Sequence, residues 1–363
     1  MQKEQQVFLK EQLSILDTNE RLKLYKRAST LRKNQQSRQK PRDDERLSRG
    51  KSLDDFVLQI LLQETGDVPV DRTSGNGTVI WLGPKSCSVR SADERVECSI
   101  PRSIHVAIGD RVSFGPRGDE YSIVAVMPRS TVLSRPDVDN GRIERVIAAN
   151  VDVVVVVVSV IAPPLHPRLI DRYMIAIQRG GAKMLLAINK VDLLDGQTRP
   201  VELAKLEPYR GIVAMTLCST TDGTGIDELR TMVTGQTCAF VGHSGVGKSS
   251  LINAFDPNLQ LLTRSVSVGY GRGAHTTTAS TLLRLADGTQ VIDTPGVRSF
   301  GLWDIGRSEL AWYFPEFEDY QSDCKFRNCT HSHEPACGVK SAVARGLISS
   351  PRYEAYMRIL TLA

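Results

Sequence analysis

The spacing of hydrophobic and polar residues changes along the chain and divides it into four segments. Residues 1–69 are mostly polar, with one short helical pattern of apolar residues around position 57. Between about 75 and 127, five short runs are separated by turn residues: TVIWL, CSVR, VECSI, DRVSF and YSIVAV. From about 145 to 300, continuous β-branched runs alternate with helical patterns. Beyond 300 the chain is aromatic, then rich in Cys and His, then helical.

These segments predict a multidomain α/β protein. Five short strands at this spacing are typical of a small closed barrel, for which the OB fold is our first choice. Such barrels often bind oligonucleotides, and a simple packing module is the alternative. Four apolar runs predict a parallel sheet with helices on both faces, at 151–160, 184–188, 212–217 and 237–241. We expect a basic N-terminal extension with one helix at 1–69, an OB-like barrel at 70–128, an α/β domain at 129–300 and a helical C-terminal domain at 301–363.

Composition narrows the class of protein. The chain has 363 residues, of which 41% are hydrophobic and 24% charged, and these values exclude a wholly disordered, collagen-like or coiled-coil protein. The most apolar stretch, at 151–162, is too short to span a bilayer, and the first residues lack the apolar core of a signal peptide. The 7 cysteines are too few, and odd in number, for a disulfide scaffold. We therefore expect a cytoplasmic protein with no membrane partner.

Positive charge is concentrated at the N-terminus. Residues 1–51 hold 14 Lys and Arg against 7 Asp and Glu, whereas the remaining residues hold 32 against 34. Basic, Gln-rich arms often contact nucleic-acid phosphates, and a solvated tail without a partner is the equal alternative.

The strongest motif is a phosphate-binding loop. Residues 242–249, G-H-S-G-V-G-K-S, follow a predicted strand and precede a predicted helix, which makes a chance Gly-rich turn the weaker explanation. Its glycines let successive backbone N–H groups point at phosphate oxygens, and the helix dipole adds positive potential. Lys248 is expected to reach the β- and γ-phosphates, and Ser249 to bind Mg²⁺. The expected nucleotide-binding residues here are Gly242, His243, Ser244, Gly245, Val246, Gly247, Lys248, Ser249 and Ser250.

Two further motifs complete a guanine-nucleotide site. Asp293 and Gly296 enclose a D-x-x-G sequence, in which the carboxylate holds Mg²⁺ through water and the glycine amide senses the γ-phosphate. The sequence N-K-V-D comprises Asn189, Lys190, Val191 and Asp192. A carboxylate at its fourth position accepts two hydrogen bonds from guanine N1 and N2 and so rejects adenine. Each motif alone is weak evidence for a nucleotide site, because an ordinary turn can have the same residues. The evidence is stronger when the motif accompanies a phosphate loop.

The order of the motifs is unusual. In ordinary GTPases the phosphate loop comes first and N-K-x-D follows D-x-x-G, whereas here N-K-V-D precedes the loop and D-x-x-G comes last. Strands of a parallel sheet can be reconnected in this way if the same neighbours still pack. The sequence therefore predicts a circularly permuted GTPase domain.

A cysteine-rich cluster predicts a structural zinc site. Cys324, Cys329, His331 and Cys337 have the residue types and the clustering of a closed tetrahedral Cys₃His set. His333 could be the imidazole ligand instead of His331, but we prefer His331 on loop geometry. The alternative to a metal site is that the cysteines are redox-active or merely buried. The other cysteines lie in apolar strand patterns and are expected in the core: Cys87, Cys98, Cys218 and Cys238.

These motifs together resemble those of one family, the RsgA family of small-ribosomal-subunit biogenesis GTPases. The resemblance covers roughly residues 70–363 and rests on IAANVDVVVVV, NKVD, GHSGVGKSSLIN, GRGAHTTT, DTPGVRSFG and CKFRNCTHSHEPACGV. It implies a GTPase that binds the small ribosomal subunit and its 16S rRNA late in maturation and is stimulated by it, with Mg²⁺ beside GTP or GDP and one Zn²⁺ per chain. We expect a monomer. The basic extension departs from the usual shorter N-terminus, which leaves its role open.

Some residue roles are implied only by this resemblance. Residues 271–278 look like the first switch, with Thr277 available to Mg²⁺, and Val297 stands where Ras-like enzymes place a water-positioning Gln. Because Val cannot orient water, His275 is our candidate catalytic residue beside Lys248 and Thr277, with a surface loop histidine as the alternative. Ser219 is expected to close over the guanine, although Thr220 replaces the usual Ala.

Two other functions compete with this one. The first is a nucleotide-gated rRNA-binding checkpoint, in which hydrolysis is only a release signal. The second is an ATP-dependent nucleic-acid remodelling enzyme, against which the N-K-V-D sequence argues.

Overall fold

A computed structural model describes residues 75–136, 144–256, 259, 280–293 and 305–362. The described residues from Asn76 onward belong to one compact unit. The predicted N-terminal helix, the first switch segment with His275 and Thr277, and Gly296 lie outside the described residues.

The predicted OB-like barrel is confirmed. Its five strands are β1 (Gly75–Leu82), β2 (Ser86–Ser91), β3 (Glu94–Ser99), β4 (Arg111–Arg117) and β5 (Glu120–Val126). They pair in the order β1-β2-β3-β5-β4, and β4 also pairs with β1, which closes the barrel. Alternating residues fill its interior, among them Val79, Val89, Phe114 and Ile123. Closure removes the free strand edges that an open sheet of this size would expose.

A two-stranded hairpin that the sequence analysis did not foresee follows the barrel. It consists of β6 (Val132–Pro136) and β7 (Glu144–Ala149), which pair antiparallel. A bridge from Ile108 to Ala148 joins it to the loop between β3 and β4. In the same region Arg129 Nε lies 2.7 Å from the fully buried carboxylate of Asp110, so the connection out of the barrel is fixed by an ion pair.

The predicted parallel sheet is also confirmed. Its strands are β8 (Val153–Ser159), β9 (Lys183–Asn189), β10 (Ala214–Leu217), β11 (Thr237–Val241), β12 (Ser280–Arg284) and β13 (Gln290–Asp293), in the order β10-β9-β8-β11-β13-β12. Only β12 runs antiparallel to its neighbour among these described strands. The helices are α1 (Pro167–Arg179), α2 (Thr198–Ala204), α3 (Ile226–Val233) and α4 (Lys248–Phe255).

The six consecutive valines of β8 serve both faces of this sheet. Val154, Val156 and Val158 pack with the core that contains α1 residues such as Ile170. Val153, Val155 and Val157 pack with the core that contains residues of α3 and α4. Every side chain of the strand is therefore buried, which explains why the run is continuous and not alternating.

The barrel and the parallel sheet form one continuous eleven-stranded sheet. Strand β1 pairs antiparallel with β12, with Trp81 opposite Thr281 and Leu82 opposite Ser280. A side-chain hydrogen bond from Arg90 on β2 to Gln290 on β13 supports the same junction.

The C-terminal segment packs on α1. It contains single turns at Leu310–Tyr313 and Pro315–Phe317 and the helices α5 (Glu318–Gln321), α6 (Gly338–Ala344) and α7 (Ser350–Leu362). Its core is aromatic, with Phe314, Phe317 and Tyr356 in mutual ring contact, and it includes Ile175 from α1. None of the helices among the described residues is long and apolar enough to cross a membrane.

Candidate functional site

The loop between β11 and α4 has a backbone that only glycine adopts easily. Gly242, Gly245 and Gly247 have φ angles of 142°, 83° and 96°. A Cβ atom on Gly242 would lie 2.2 Å from the carbonyl oxygen of Val157, and one on Gly247 would lie 2.2 Å from Asn189 Nδ2. Both the turn and its close approach to β8 and β9 therefore require glycine. The loop leads directly into the N-terminus of α4, as an anion-binding loop must.

Lys248 is held inside the curve of this loop. Its Nζ donates hydrogen bonds to the carbonyl oxygens of Gly242 and His243, both at 2.8 Å. The ammonium group is thus positioned within the predicted phosphate-binding residues rather than extended into solvent. The arrangement brings positive charge to the place where the sequence predicts phosphate oxygens.

The N-K-V-D residues lie at the end of β9, next to this loop. Asn189 is buried, and its Nδ2 donates to the carbonyl oxygen of Val246 at 2.8 Å. Lys190 has a left-handed backbone, with φ 65°, and its Nζ donates to the carbonyl oxygen of Ala162. Asp192 is exposed. Asn189 therefore contacts the phosphate loop, whereas the Asp192 carboxylate is accessible to solvent.

Ser219 lies in the segment just after the end of β10, which is the third segment at this edge. Its buried Oγ accepts hydrogen bonds from the N–H groups of Thr221 at 3.1 Å and Asp222 at 3.3 Å. The N–H of Val191 donates to the carbonyl oxygen of Cys218 at 3.2 Å, which joins this segment to N-K-V-D. Three segments separated in sequence thus meet at the carboxyl ends of parallel strands of one sheet, where open α/β sheets bind ligands.

Asp293 ends β13, the neighbour of the loop strand β11, with Ile292 opposite Ala239. Its main chain therefore lies one strand away from the phosphate loop. Its side chain, like Gly296, lies outside what the structure describes.

The four zinc-ligand candidates form one cluster. The ligand atoms of Cys324, Cys329, His331 and Cys337 all lie within 4.8 Å of one another. His331 Nδ1 is 3.5 Å from Cys324 Sγ and 3.4 Å from Cys337 Sγ, and the two sulfur atoms are 3.8 Å apart. His331 is buried, whereas His333 is exposed and its Nδ1 contacts Ser332 Oγ at 3.0 Å. The structure therefore brings His331, and not His333, to the cysteines.

The chemistry of this cluster suits a zinc ion. Burial and the neighbouring sulfur atoms of Cys337 and Cys324 raise the pKa of Cys329 to about 12, so a thiolate at Cys329 needs a cation beside it. Burial lowers the pKa of His331, which favours the neutral imidazole that a metal binds. Backbone N–H groups also point at the cluster: Gly338 donates to Cys324 Sγ at 3.3 Å and Lys340 to Cys337 Sγ at 3.5 Å. A Cys₃His set with such donors is typical of structural zinc sites.

A residue that the sequence analysis did not single out shapes the loop that carries His331. The Glu334 carboxylate accepts hydrogen bonds from the Thr330 N–H and hydroxyl, both at 2.7 Å, and from the Ser332 N–H at 3.0 Å. Burial opposes its ionisation, but these bonds prevail and hold the pKa of Glu334 at about 2. The T-H-S-H-E sequence, with a carboxylate after two hydroxyl residues, was the available signal.

Comparison with known proteins gives a consistent result. A family model described as RsgA GTPase matches residues 126–303. The small ribosomal subunit biogenesis GTPase RsgA of Dickeya dadantii is 40% identical over 294 residues, which cover 78% of this chain and 83% of that protein. The protein of the same name from Chlorobaculum parvum is 42% identical over 265 residues, which cover 70% of this chain and 84% of that protein.

Two solved structures resemble this fold. YjeQ from Thermotoga maritima matches with a TM-score of 0.66 and 32% identity, over 79% of this chain and 98% of that one. YloQ, described as a circularly permuted GTPase, matches with a TM-score of 0.62 and 28% identity, over 81% of this chain and 96% of that one.

Proposed function

The chain belongs to the RsgA family of circularly permuted GTPases, and on this premise we propose that it hydrolyses GTP to GDP and phosphate during late maturation of the small ribosomal subunit. The observation that carries the proposal is the meeting of the phosphate loop, the N-K-V-D residues and the Ser219 segment at one edge of the sheet. That edge offers a cationic cradle for phosphates and an exposed carboxylate, Asp192, for the base.

Each group at this edge has a defined task. Lys248 exchanges its hydrogen bonds to two loop carbonyls for bonds to the β- and γ-phosphates. Its positive charge is therefore already in position when negative charge develops on the phosphates in the transition state. Ser249 and Asp293 would hold Mg²⁺, which would neutralise charge on the phosphate oxygens. Asp192 accepts from guanine N1 and N2, and the segment of Ser219 covers the base. Thr277 would add a ligand to Mg²⁺, and His275 would orient the attacking water in place of the Gln that Val297 replaces.

The zinc ion in this proposal is structural. One Zn²⁺ per chain is held by Cys324, Cys329, His331 and Cys337, whose ligand atoms lie together. Four protein ligands leave no position for substrate, so the ion contributes to folding and not to chemistry.

Exposed residues near the zinc cluster support a contact with 16S rRNA. Lys325, Phe326 and Arg327 lie in the loop between two of the cysteines and are exposed, and Lys325 Nζ is 5.8 Å from the centre of the Phe326 ring. On the barrel, Tyr121 is 47% exposed. Aromatic rings beside basic side chains bind single-stranded RNA by stacking and phosphate contact. We therefore propose that rRNA contacts the zinc-binding segment, and that Tyr121 offers a further exposed ring on the barrel.

The decisive experiment measures GTP turnover with no addition, with purified small subunits and with purified large subunits. We expect stimulation by small subunits alone. Strong turnover without subunits that no subunit raises would contradict the proposal. A checkpoint whose hydrolysis is only a release signal predicts instead that a non-hydrolysable GTP analogue supports subunit maturation fully and blocks only release. If the protein is instead an ATP-dependent remodelling enzyme, added ATP should compete with GTP. The same turnover assay with ATP added tests this.

Two properties accompany this proposal. The cytoplasm is where small subunits are assembled, and a monomer suffices because one chain carries all the motifs named here. Cell fractionation and sedimentation equilibrium test them.

A further inference from the structure

One arginine from the barrel and one from the GTPase sheet lie beside the same glutamine at the junction of the two. Arg90 is on β2, and its guanidinium donates a hydrogen bond to the side chain of Gln290, the first residue of β13. Arg284, the last residue of β12, is directly opposite Gln290 in the antiparallel pairing of β12 and β13. Because side chains of opposite residues lie on the same face of a sheet, Gln290 is a neighbour of both arginines.

Neither arginine forms an ion pair within the part of the chain that the structure describes. Arg90 is half-buried and its side chain bonds the neutral amide of Gln290, whereas Arg284 is exposed and its side chain makes no described hydrogen bond. Burial and the positive charge of Arg284 both lower the pKa of Arg90. The two cations therefore repel each other, and an anion placed between them would stabilise both.

Three carboxylates on the surrounding strands and turns already have other partners. Asp287, in the turn after β12, accepts a hydrogen bond from Arg230 Nε at 3.0 Å, and Glu97 on β3 accepts one from Arg95 Nε at 2.9 Å. Asp152, just before β8, accepts a backbone N–H at 2.8 Å. The counter-charge for the two junction arginines would therefore come from a ligand.

This pair of arginines lies away from the nucleotide loops. Gln290 begins the parallel strand β13 and Arg284 ends the antiparallel strand β12, so both lie at the amino ends of the parallel strands. The phosphate loop and the N-K-V-D residues lie at the carboxyl ends of their strands, at the opposite edge of the sheet. A ligand at the junction would therefore not compete with the nucleotide.

We propose that Arg90 and Arg284 together bind a phosphate of an RNA backbone, so that one RNA strand contacts the barrel and the GTPase domain at once. The two non-bridging oxygens of a phosphodiester point in different directions and can accept from two guanidinium groups, whereas a carboxylate presents both oxygens in one plane. The hydrogen bond to Gln290 holds the Arg90 side chain in place before the RNA arrives. The inference rests on the proposed function, because it takes the rRNA of the small subunit as this RNA.

The test measures binding of the full chain to purified small subunits at several salt concentrations. Arg90→Gln and Arg284→Gln should each weaken binding about three- to ten-fold, the worth of one hydrogen bond to a charged group. Each should also lower the slope of log affinity against log salt by about one, because one phosphate contact is lost. Arg284→Lys, which keeps the charge, should retain the slope.

Arg210 offers a matched control, because it is also in the GTPase domain and exposed but is paired with Glu207 at 2.7 Å. Arg210→Gln should leave subunit affinity within about two-fold of the parent. Arg284→Gln should keep the melting temperature and the GTP affinity of the parent, since the exposed side chain makes no described hydrogen bond. A photoreactive diazirine side chain in place of the exposed Ala286 should cross-link to 16S rRNA.

The outcomes separate this inference from the proposal on which it rests. Unchanged subunit affinity in Arg90→Gln and Arg284→Gln, a loss no larger than that of Arg210→Gln, or cross-links to a ribosomal protein instead of rRNA would each overturn the phosphate site. A parent protein that binds small subunits no better than large ones would instead overturn the proposed function itself.

Discussion

Arg352 on α7 and Asp171 on α1 form a buried ion pair between residues 181 positions apart in sequence, with 2.5 Å between Nη1 and Oδ1. The same guanidinium donates through Nε to Glu316 at 2.7 Å and lies over the ring of Phe314, with Cζ 4.6 Å from its centre. Burial raises the pKa of Asp171 even though Arg352 opposes the shift, whereas for Arg352 the nearby carboxylates outweigh burial and raise its pKa. One arginine thus joins the C-terminal segment to helix α1 of the GTPase domain.

Arg352→Met should lower the free energy of unfolding by about 3–5 kcal/mol, because it leaves the carboxylates of Asp171 and Glu316 buried without their cation. Urea denaturation followed by circular dichroism measures this change. Arg358→Met is the control, since Arg358 is on the same helix and has no ion pair among the described residues, and it should change stability by less than about 0.5 kcal/mol. Equal stability of the two variants would show that the buried pair contributes nothing.

Asp287 makes stability depend on pH. Its carboxylate accepts hydrogen bonds from the Thr289 N–H and from Arg230 Nε, both at 3.0 Å. Burial opposes ionisation, but the bonds to Thr289 and Arg230 prevail and hold the pKa of Asp287 below its ordinary value of 3.8. A lowered folded-state pKa contributes stability above the unfolded pKa, and this contribution is lost as the pH falls through the folded value.

We expect Asp287→Asn to lower the free energy of unfolding by about 1 kcal/mol at pH 7. The difference between parent and variant should shrink as the pH falls below about 4, which denaturation curves at several pH values measure. Asp119→Asn, in the exposed turn between β4 and β5, is the control and should show no such dependence. A difference that stays constant down to pH 2 is the contrary result.

Base selection depends on Asp192. Asp192→Asn should weaken GTP binding at least ten-fold and favour xanthosine nucleotides, because an amide pairs with the oxygen that xanthine carries in place of the guanine amino group. Competition binding with GTP, ATP and XTP checks this. The exposed Asp195, three residues later, offers a control in Asp195→Asn, which should keep the preference for GTP.

The zinc cluster predicts a fixed metal content. One zinc ion per chain should be found by mass spectrometry, and Cys329→Ser should lose most of it and destabilise the segment from 305 to 362, since binding energy is folding energy. Cys98→Ala, in the barrel core, should retain the zinc. Freshly purified protein without zinc would remove the site from the proposal.

His275 is expected to act in the transition state, although it lies outside the described residues. His275→Ala should leave GTP affinity within about two-fold and lower subunit-stimulated turnover at least ten-fold, because a contact made only in the transition state affects kcat more than binding. Single-turnover assays with small subunits measure it, with His105→Ala in the barrel as the control. Unimpaired turnover in His275→Ala would show that His275 does not orient the attacking water.

The strands of the barrel and the parallel strands of the GTPase sheet could be predicted because their patterns are local, whereas the antiparallel strand β12 was not predicted. Runs such as VVVVVVS and MLLAIN have the composition of strands buried on both faces, and turn residues mark their ends. The hairpin of β6 and β7 was missed because VLSRP and ERVIAA contain proline and charges and alternate only weakly.

Contacts between distant residues were beyond such patterns. Nothing in SPRYEAY distinguishes Arg352 from an exposed helical arginine, because its burial depends on Asp171 and Glu316 in other segments. The pairing of β1 with β12 likewise joins residues about two hundred positions apart. The motifs of the site were predictable because their spacing is fixed by phosphate and base chemistry, whereas the opposition of Ser159 and Asn189 emerges only from strand register.

The pairing of β1 with β12 has a consequence for solubility. Strand β12 is the last strand of the GTPase sheet on that side, and β1 hydrogen-bonds to its first residues, Ser280 and Thr281. Without the barrel these backbone groups would become an open sheet edge, and such edges recruit strands from other molecules. A fragment that begins at residue 129 would therefore keep every nucleotide motif and yet expose an edge that promotes aggregation. The barrel therefore covers this edge of the GTPase sheet and prevents it from pairing with other copies of the chain.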